Sequence, residues 1–73
     1  MSDRITKASI RLGKKIQKIR KVNFDLTQEE LAEKVEISRT HMGHIEQGRK
    51  TPSLKLLERI AKVLKTTSSD LLS

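Results

Sequence analysis

The chain contains no cysteine, tryptophan or tyrosine, a single phenylalanine, a single proline and three glycines in 73 residues. Without cysteine there is neither a disulfide framework nor a thiolate metal site, in keeping with a reducing compartment. With Phe24 as its one aromatic, the chain has no stacking platform for single-stranded nucleic acid. No apolar run approaches the roughly 20 residues that span a bilayer, and the opening residues Met1 to Lys7 lack the hydrophobic centre of a signal peptide. A cytoplasmic protein with no membrane partner is therefore expected. A cysteine nucleophile, a glycine-rich phosphate loop and an evident carboxylate pair are all missing, and so short a chain leaves little room for a catalytic cleft. The expectation is no enzyme, no cofactor and no small-molecule ligand. His41 and His44, three apart on one helix, lack the ligand spacing of a zinc site, so no metal is expected either.

What the chain does have is positive charge, unevenly placed. Its net charge is +7, and residues 1–21 hold eight Lys/Arg against Asp3 alone, which accounts for the whole excess. Residues 22–73 balance, with eight basic and eight acidic side chains. A basic face on an otherwise neutral domain is the footprint of a polyphosphate partner. On composition alone, a solvated lysine-rich helix face explains it equally well.

Apolar residues recur at helical spacing throughout, and nothing alternates with the period of a strand. The spacing predicts five helices. The first covers about residues 8–21, with Leu12, Ile16 and Ile19 inward and lysines opposite, broken by Val22-Asn23-Phe24-Asp25. The second covers about 28–35. It opens on a capping box of Thr27 and Glu30, with Leu26 and Leu31 as the hydrophobic staple. The third covers about 38–47, with Ser38 placed to cap it and Gly48 suited to a left-handed end. Pro52, with Ser53 or Thr51 as cap, starts a fourth that runs to about Leu64, and a last short turn ends near Leu72. Residues 1–9 are expected to form a basic amino-terminal arm and residues 10–73 one small domain of marginal stability.

Helices two and three, joined by a tight turn, form the most informative stretch. Gln28, Leu31, Ala32, Val35, Ile37, Ser38, Ile45, Glu46, Gly48 and Pro52 resemble the Cro/phage-repressor (XRE-type) helix-turn-helix family of transcriptional regulators, Cro-like repressors and restriction-modification controllers among them. The likeness extends to both sides, from Leu12 to Arg20 and from Leu54 to Leu72. It implies an all-α, compact five-helix domain of the lambda-repressor-like type. The expected function is sequence-specific binding of double-stranded DNA by a homodimer, with helix three in the major groove of a pseudo-palindromic operator.

Site residues follow from the resemblance and from which side chains of helix three point away from the core. With Ile37, Met42 and Ile45 inward, Arg39, Thr40, Gly43 and His44 are the expected base contacts, Arg39 being suited to a bidentate bond with guanine. Gly43 costs about 1 kcal/mol inside a helix, and either close approach to DNA or a tolerant surface position explains it. Gln28, at the start of helix two, together with His41, Gln47, Arg49 and Lys50, is expected to hold phosphates. Lys15 and Lys18, or Arg4 and Lys7, add longer-range attraction. The family pairs the residues matching Arg20 and Glu46, so these two are expected to be structural.

Helix four is apolar over more of its circumference than one core needs. Leu54, Leu57, Ala61 and Leu64 make one stripe; Leu56, Ile60 and Val63 make a second. Either the last turn covers the second stripe within the chain, or Leu56, Ile60, Val63, Leu71 and Leu72 form the dimer interface; the dimer is favoured. A protein-interaction module, antitoxin or adaptor, is the competing reading, with that stripe as its sticky surface.

Three positions depart from the family. Glu36 stands where the family's turn has glycine, at an expected cost of roughly 1 to 2 kcal/mol for a left-handed conformation. The connection from Lys21 to Asp25 is one residue longer than usual, and Lys65-Thr66 replaces a common Gly-Val before the last helix.

Overall fold

The structure, a computed structural model, describes residues 5–73. It contains five helices in the order α1 (Lys7–Phe24), α2 (Gln28–Lys34), α3 (Arg39–Glu46), α4 (Leu54–Val63) and α5 (Ser68–Leu72), with no strand among the described residues. Every helix begins at a hydroxyl. The side chains of Thr6, Thr27, Ser38, Ser53 and Thr67 each accept from the third amide onward, satisfying a donor that the helix itself leaves unpaired. Thr27 and Glu30 complete the expected capping box, with the Thr27 amide donating to Glu30 Oε1 at 2.8 Å. Those bonds, and then the Lys34 charge, hold the Glu30 carboxyl below its ordinary value of 4.5.

Three helix ends close in the same way. At Glu36, Gly48 and Lys65 the backbone turns left-handed (φ 63°, 78° and 56°). In each case the next amide reaches back five residues to a carbonyl and the left-handed residue's own amide reaches back three. This is the Schellman closure, which favours glycine. Only Gly48 supplies one, so Glu36 and Lys65 carry the strain expected of Glu36 and extend it to a second site.

The start and end of α1 differ from expectation. Val22, Asn23 and Phe24 do not break it; the helix runs through Phe24 and is turned by Asp25 (φ 51°). The extra residue of that connection is absorbed as helix. At the other end α1 starts at Lys7, and Ser9 is buried with its hydroxyl donating to the Gly48 carbonyl at 3.0 Å. Residues 7–9 therefore belong to the helical body, while Arg4 lies outside the described residues.

The core joins all five helices: Leu12 and Ile16 of α1, Leu31 and Ala32 of α2, Met42 and Ile45 of α3, most of α4, and Leu71 of α5. Its extent corrects the reading of α4. Leu56, Leu57, Ile60, Ala61 and Leu64 form one wide buried face, and Leu71 closes over it, so Leu56, Ile60 and Leu71 are core residues and not an interface. An amphipathic width gives the area to be covered but not the chain that covers it. Leu54, placed inward by spacing, is 64% exposed, and Leu72 is 56% exposed; Val63 is half-buried against the core. No helix of the described residues is long and apolar enough to cross a membrane.

Candidate nucleic-acid interface

The outer side of α3 is positioned by a buried ionic network behind it. Arg20 of α1 is 5% exposed and makes two bonds to Glu46 at the end of α3, Nε to Oε2 at 2.7 Å and Nη2 to Oε1 at 2.8 Å. Its remaining nitrogen, Nη1, donates to the Leu26 carbonyl at 2.8 Å, and the Arg20 carbonyl accepts the Leu26 amide at 3.0 Å. One side chain thus fixes α3 to α1 and sets the entry into α2. A planar guanidinium suits this task because it can grip a carboxylate with two parallel bonds and still donate elsewhere. No buried side-chain nitrogen or oxygen is left without a partner among the described residues.

The network reaches the surface through Gln28. Its Nε2 donates to Glu46 Oε1 at 2.9 Å, so the amide lies across the start of α2 and along α3. There it meets Gly43. A Cβ at Gly43 would stand 3.3 Å from Gln28 Oε1, tighter than ordinary contact. Gly43 is buried, and the reason for a glycine inside this helix is room for the Gln28 side chain.

The turn between α2 and α3 is held from a third direction. Arg59 of α4 donates through Nη2 to the Val35 carbonyl at 2.5 Å, pinning the strained residue Glu36 on its amino side. At the back of α3 the fit is closer still. A Cβ on Gly13 would fall 2.5 Å from the carbonyl oxygens of both Ile45 and Glu46, so α1 and α3 touch backbone to backbone there.

On the outward side the structure brings together Gln28, Arg39, Thr40, Gly43, His44 and Gln47 around one shallow, open cleft. Arg39, Thr40 and Gln47 are exposed and His44 is partly so. Four of these are the expected base contacts and two the expected phosphate holders. His41, half-buried, lies outside the cleft. Arg49 and Lys50 also lie outside it, exposed on the loop after Gly48. The cleft offers a guanidinium, a hydroxyl with a methyl, an imidazole and two amides at a helix surface, a set matched to the donors and acceptors of base-pair edges. Among the described residues no group of histidine and acidic side chains is arranged to hold a metal.

Arg59 and Gly13 had gone unassigned. Gly13 had a signal, a glycine on the inner face between Leu12 and Ile16, where only close backbone contact justifies it. Arg59 had none, since its partner is a backbone carbonyl 24 residues away.

Known proteins share this arrangement. A family model described as helix-turn-helix matches residues 16–71. The chain is 42% identical over 64 residues to the control protein C.MunI of Mycoplasma sp, covering 88% of this chain and 86% of that one. Among solved structures it is similar to the restriction-modification controller protein C.AhdI from Aeromonas hydrophila, with a TM-score of 0.78 at 26% identity over 85% of this chain and 92% of the other. It is also similar to SinR, a master regulator for biofilm formation crystallised in complex with DNA, with a TM-score of 0.78 at 30% identity over 85% and 98%.

Proposed function

The chain belongs to the helix-turn-helix family of XRE-type transcription regulators, and from that premise we propose that it reads a two-fold symmetric operator as a homodimer, one α3 in each of two successive major grooves. The observation that carries the reading is the convergence of Arg39, Thr40, His44 and Gln47 on one open cleft beside Gln28, all held from behind by the buried Arg20–Glu46 pair. Arg39, at the amino end of α3, is assigned the bidentate contact with guanine. Thr40 and His44 read neighbouring base edges. Gln28 and Gln47, at the cleft's rim, take phosphate oxygens, with His41, Arg49 and Lys50 gripping the backbone beyond it.

Gly43 makes no base contact in this account; it leaves Gln28 the space to stay seated on Glu46. Because Gln28 is already bonded to the buried pair, its amide is oriented before DNA arrives, and less side-chain freedom is lost on binding. The dimer contact falls to the apolar side chains of α4 and α5 that the core leaves outside, Leu54 and Leu72, with half-buried Val63. Control protein C.MunI and the restriction-modification controller C.AhdI support a regulator of that kind, acting through its own concentration.

Selection of duplexes from a random pool by the purified protein tests the reading. The expected product is a two-fold symmetric sequence with half-sites about one helical turn, roughly 34 Å, apart. Retention without sequence preference would overturn it. Sedimentation of Leu54→Glu and Leu72→Glu variants tests the dimer, with weakened association expected and unchanged association contradicting the assigned surface.

A further inference from the structure

Helix α1 carries seven lysines and arginines and no acidic residue. Two are engaged: Arg20 with Glu46, and Lys15, whose Nζ donates to the carbonyls of Asp70 and Ser73 and so ties down the end of α5. The other five, Lys7, Arg11, Lys14, Lys18 and Lys21, are all exposed and make no hydrogen bond or ion pair among the described residues. Their spacing of four, three, four and three puts them on one face, one cation per turn, along about 21 Å of helix axis. Like charges at this spacing repel, and a glutamate anywhere on that face would relieve the helix. The face is maintained against its own electrostatics.

The face also points away from the cleft. It is opposite Leu12 and Ile16, which enter the core, and α1 meets α3 through Gly13 against the Ile45 and Glu46 carbonyls. Ile45 lies on the side of α3 opposite Thr40, His44 and Gln47, so a duplex seated on the cleft has α3 between itself and α1. The five cations do not serve the DNA that α3 reads.

We infer that this α1 face is a second, sequence-independent binding surface for duplex DNA, which holds a separate duplex segment while α3 holds the first. The inference rests on the reading of the chain as a duplex-binding protein. The chemistry of the surface selects the occupant. An anionic membrane needs an apolar strip to enter beside the cations, and the apolar side of α1 is buried, leaving only Ile10 and Val22 exposed near its two ends. A protein partner needs an apolar centre to the patch, and lysine is depleted from such centres. Duplex DNA presents a negative charge about every 1.7 Å of axis and asks only for cations along a line.

The test uses the full chain with an immobilised duplex carrying its selected site and a labelled 30-base-pair duplex of unrelated sequence in solution. Wild type is expected to capture the labelled duplex. The combined Arg11→Gln, Lys14→Gln, Lys18→Gln and Lys21→Gln variant, altered only at exposed positions, is expected to occupy the immobilised site with unchanged base preference yet capture at least tenfold less. Replacing the three lysines by arginine should keep capture. On the labelled duplex, the plot of log affinity against log salt should flatten by about three units in the glutamine variant, at roughly 0.9 per phosphate contact. Equal capture by wild type and glutamine variant would overturn the inference, as would face-dependent binding to phosphatidylserine vesicles that exceeds binding to the duplex. If wild type occupies the immobilised site but captures nothing, this inference fails alone; if it selects no site at all, the regulator reading fails first.

Discussion

Two outward faces of this molecule offer donors to a polyanion, and they are built in opposite ways. Behind the α3 cleft stands a chain of buried bonds, from Arg20 to Glu46 to Gln28, with Arg59 pinning the turn and Gly13 letting the backbones touch. Along α1 the five cations are held by nothing but the helix they grow from. Reading base edges requires donors fixed to within fractions of an ångström, and fixing them consumes buried partners and close contacts. Attracting phosphates requires only charge, and long solvated lysines supply it at little structural cost. Sequence recognition and sequence-blind attraction are therefore separable in this fold.

Substitutions can break one side of that contrast without the other. The largest effect is expected from Glu46→Ala, which leaves the Arg20 guanidinium buried without its carboxylate and should destabilise the fold by about 3–5 kcal/mol in urea unfolding. A loss below about 1 kcal/mol would mean that the pair behaves as a surface salt bridge and does not position the cleft. Next comes Gly13→Ala, which sets a methyl against two backbone carbonyls and should cost about 1–3 kcal/mol; a neutral result would show α1 and α3 to be less tightly joined.

Glu36→Gly works in the other direction. Relief of left-handed strain should stabilise by about 1 kcal/mol, raising Tm by about 4–8 °C with DNA affinity little changed. A lower Tm would contradict the closure described for α2. The smallest effect belongs to Glu30→Gln. Because the folded carboxyl is held below 4.5, its contribution is present above that pH and lost as pH falls through the lower folded value. The variant should thus be less stable than wild type at neutral pH, with the gap closing in acid; a gap independent of pH would remove the carboxylate from the cap.

Much of this was legible in the sequence, where local chemistry decides the outcome. The Thr27 and Glu30 box, the Ser38 cap and Gly48 mark α2 and α3 with near-correct ends, and the outward residues of α3 do share one cleft. What escaped depends on contacts distant in sequence. Asp25 gives no sign of a left-handed turn, so α1 ends later than its breakers suggest. Leu56, Ile60 and Leu71 show the same periodicity whether a partner chain or α5 covers them, and only the packed fold decides for α5. Gly43 illustrates the limit best: a glycine assigned to DNA contact proves to make room for a neighbouring glutamine, itself bonded to a glutamate 18 residues on.

The most direct measurement is the ratio of affinities for the selected duplex and a scrambled one, followed across salt, for wild type and Arg39→Ala. The account predicts that the ratio falls by about 5- to 150-fold, equivalent to about 1–3 kcal/mol, while the salt slope changes by no more than about one unit. A variant that keeps its preference and loses only salt dependence would contradict it, placing Arg39 on a phosphate and the reading of sequence elsewhere.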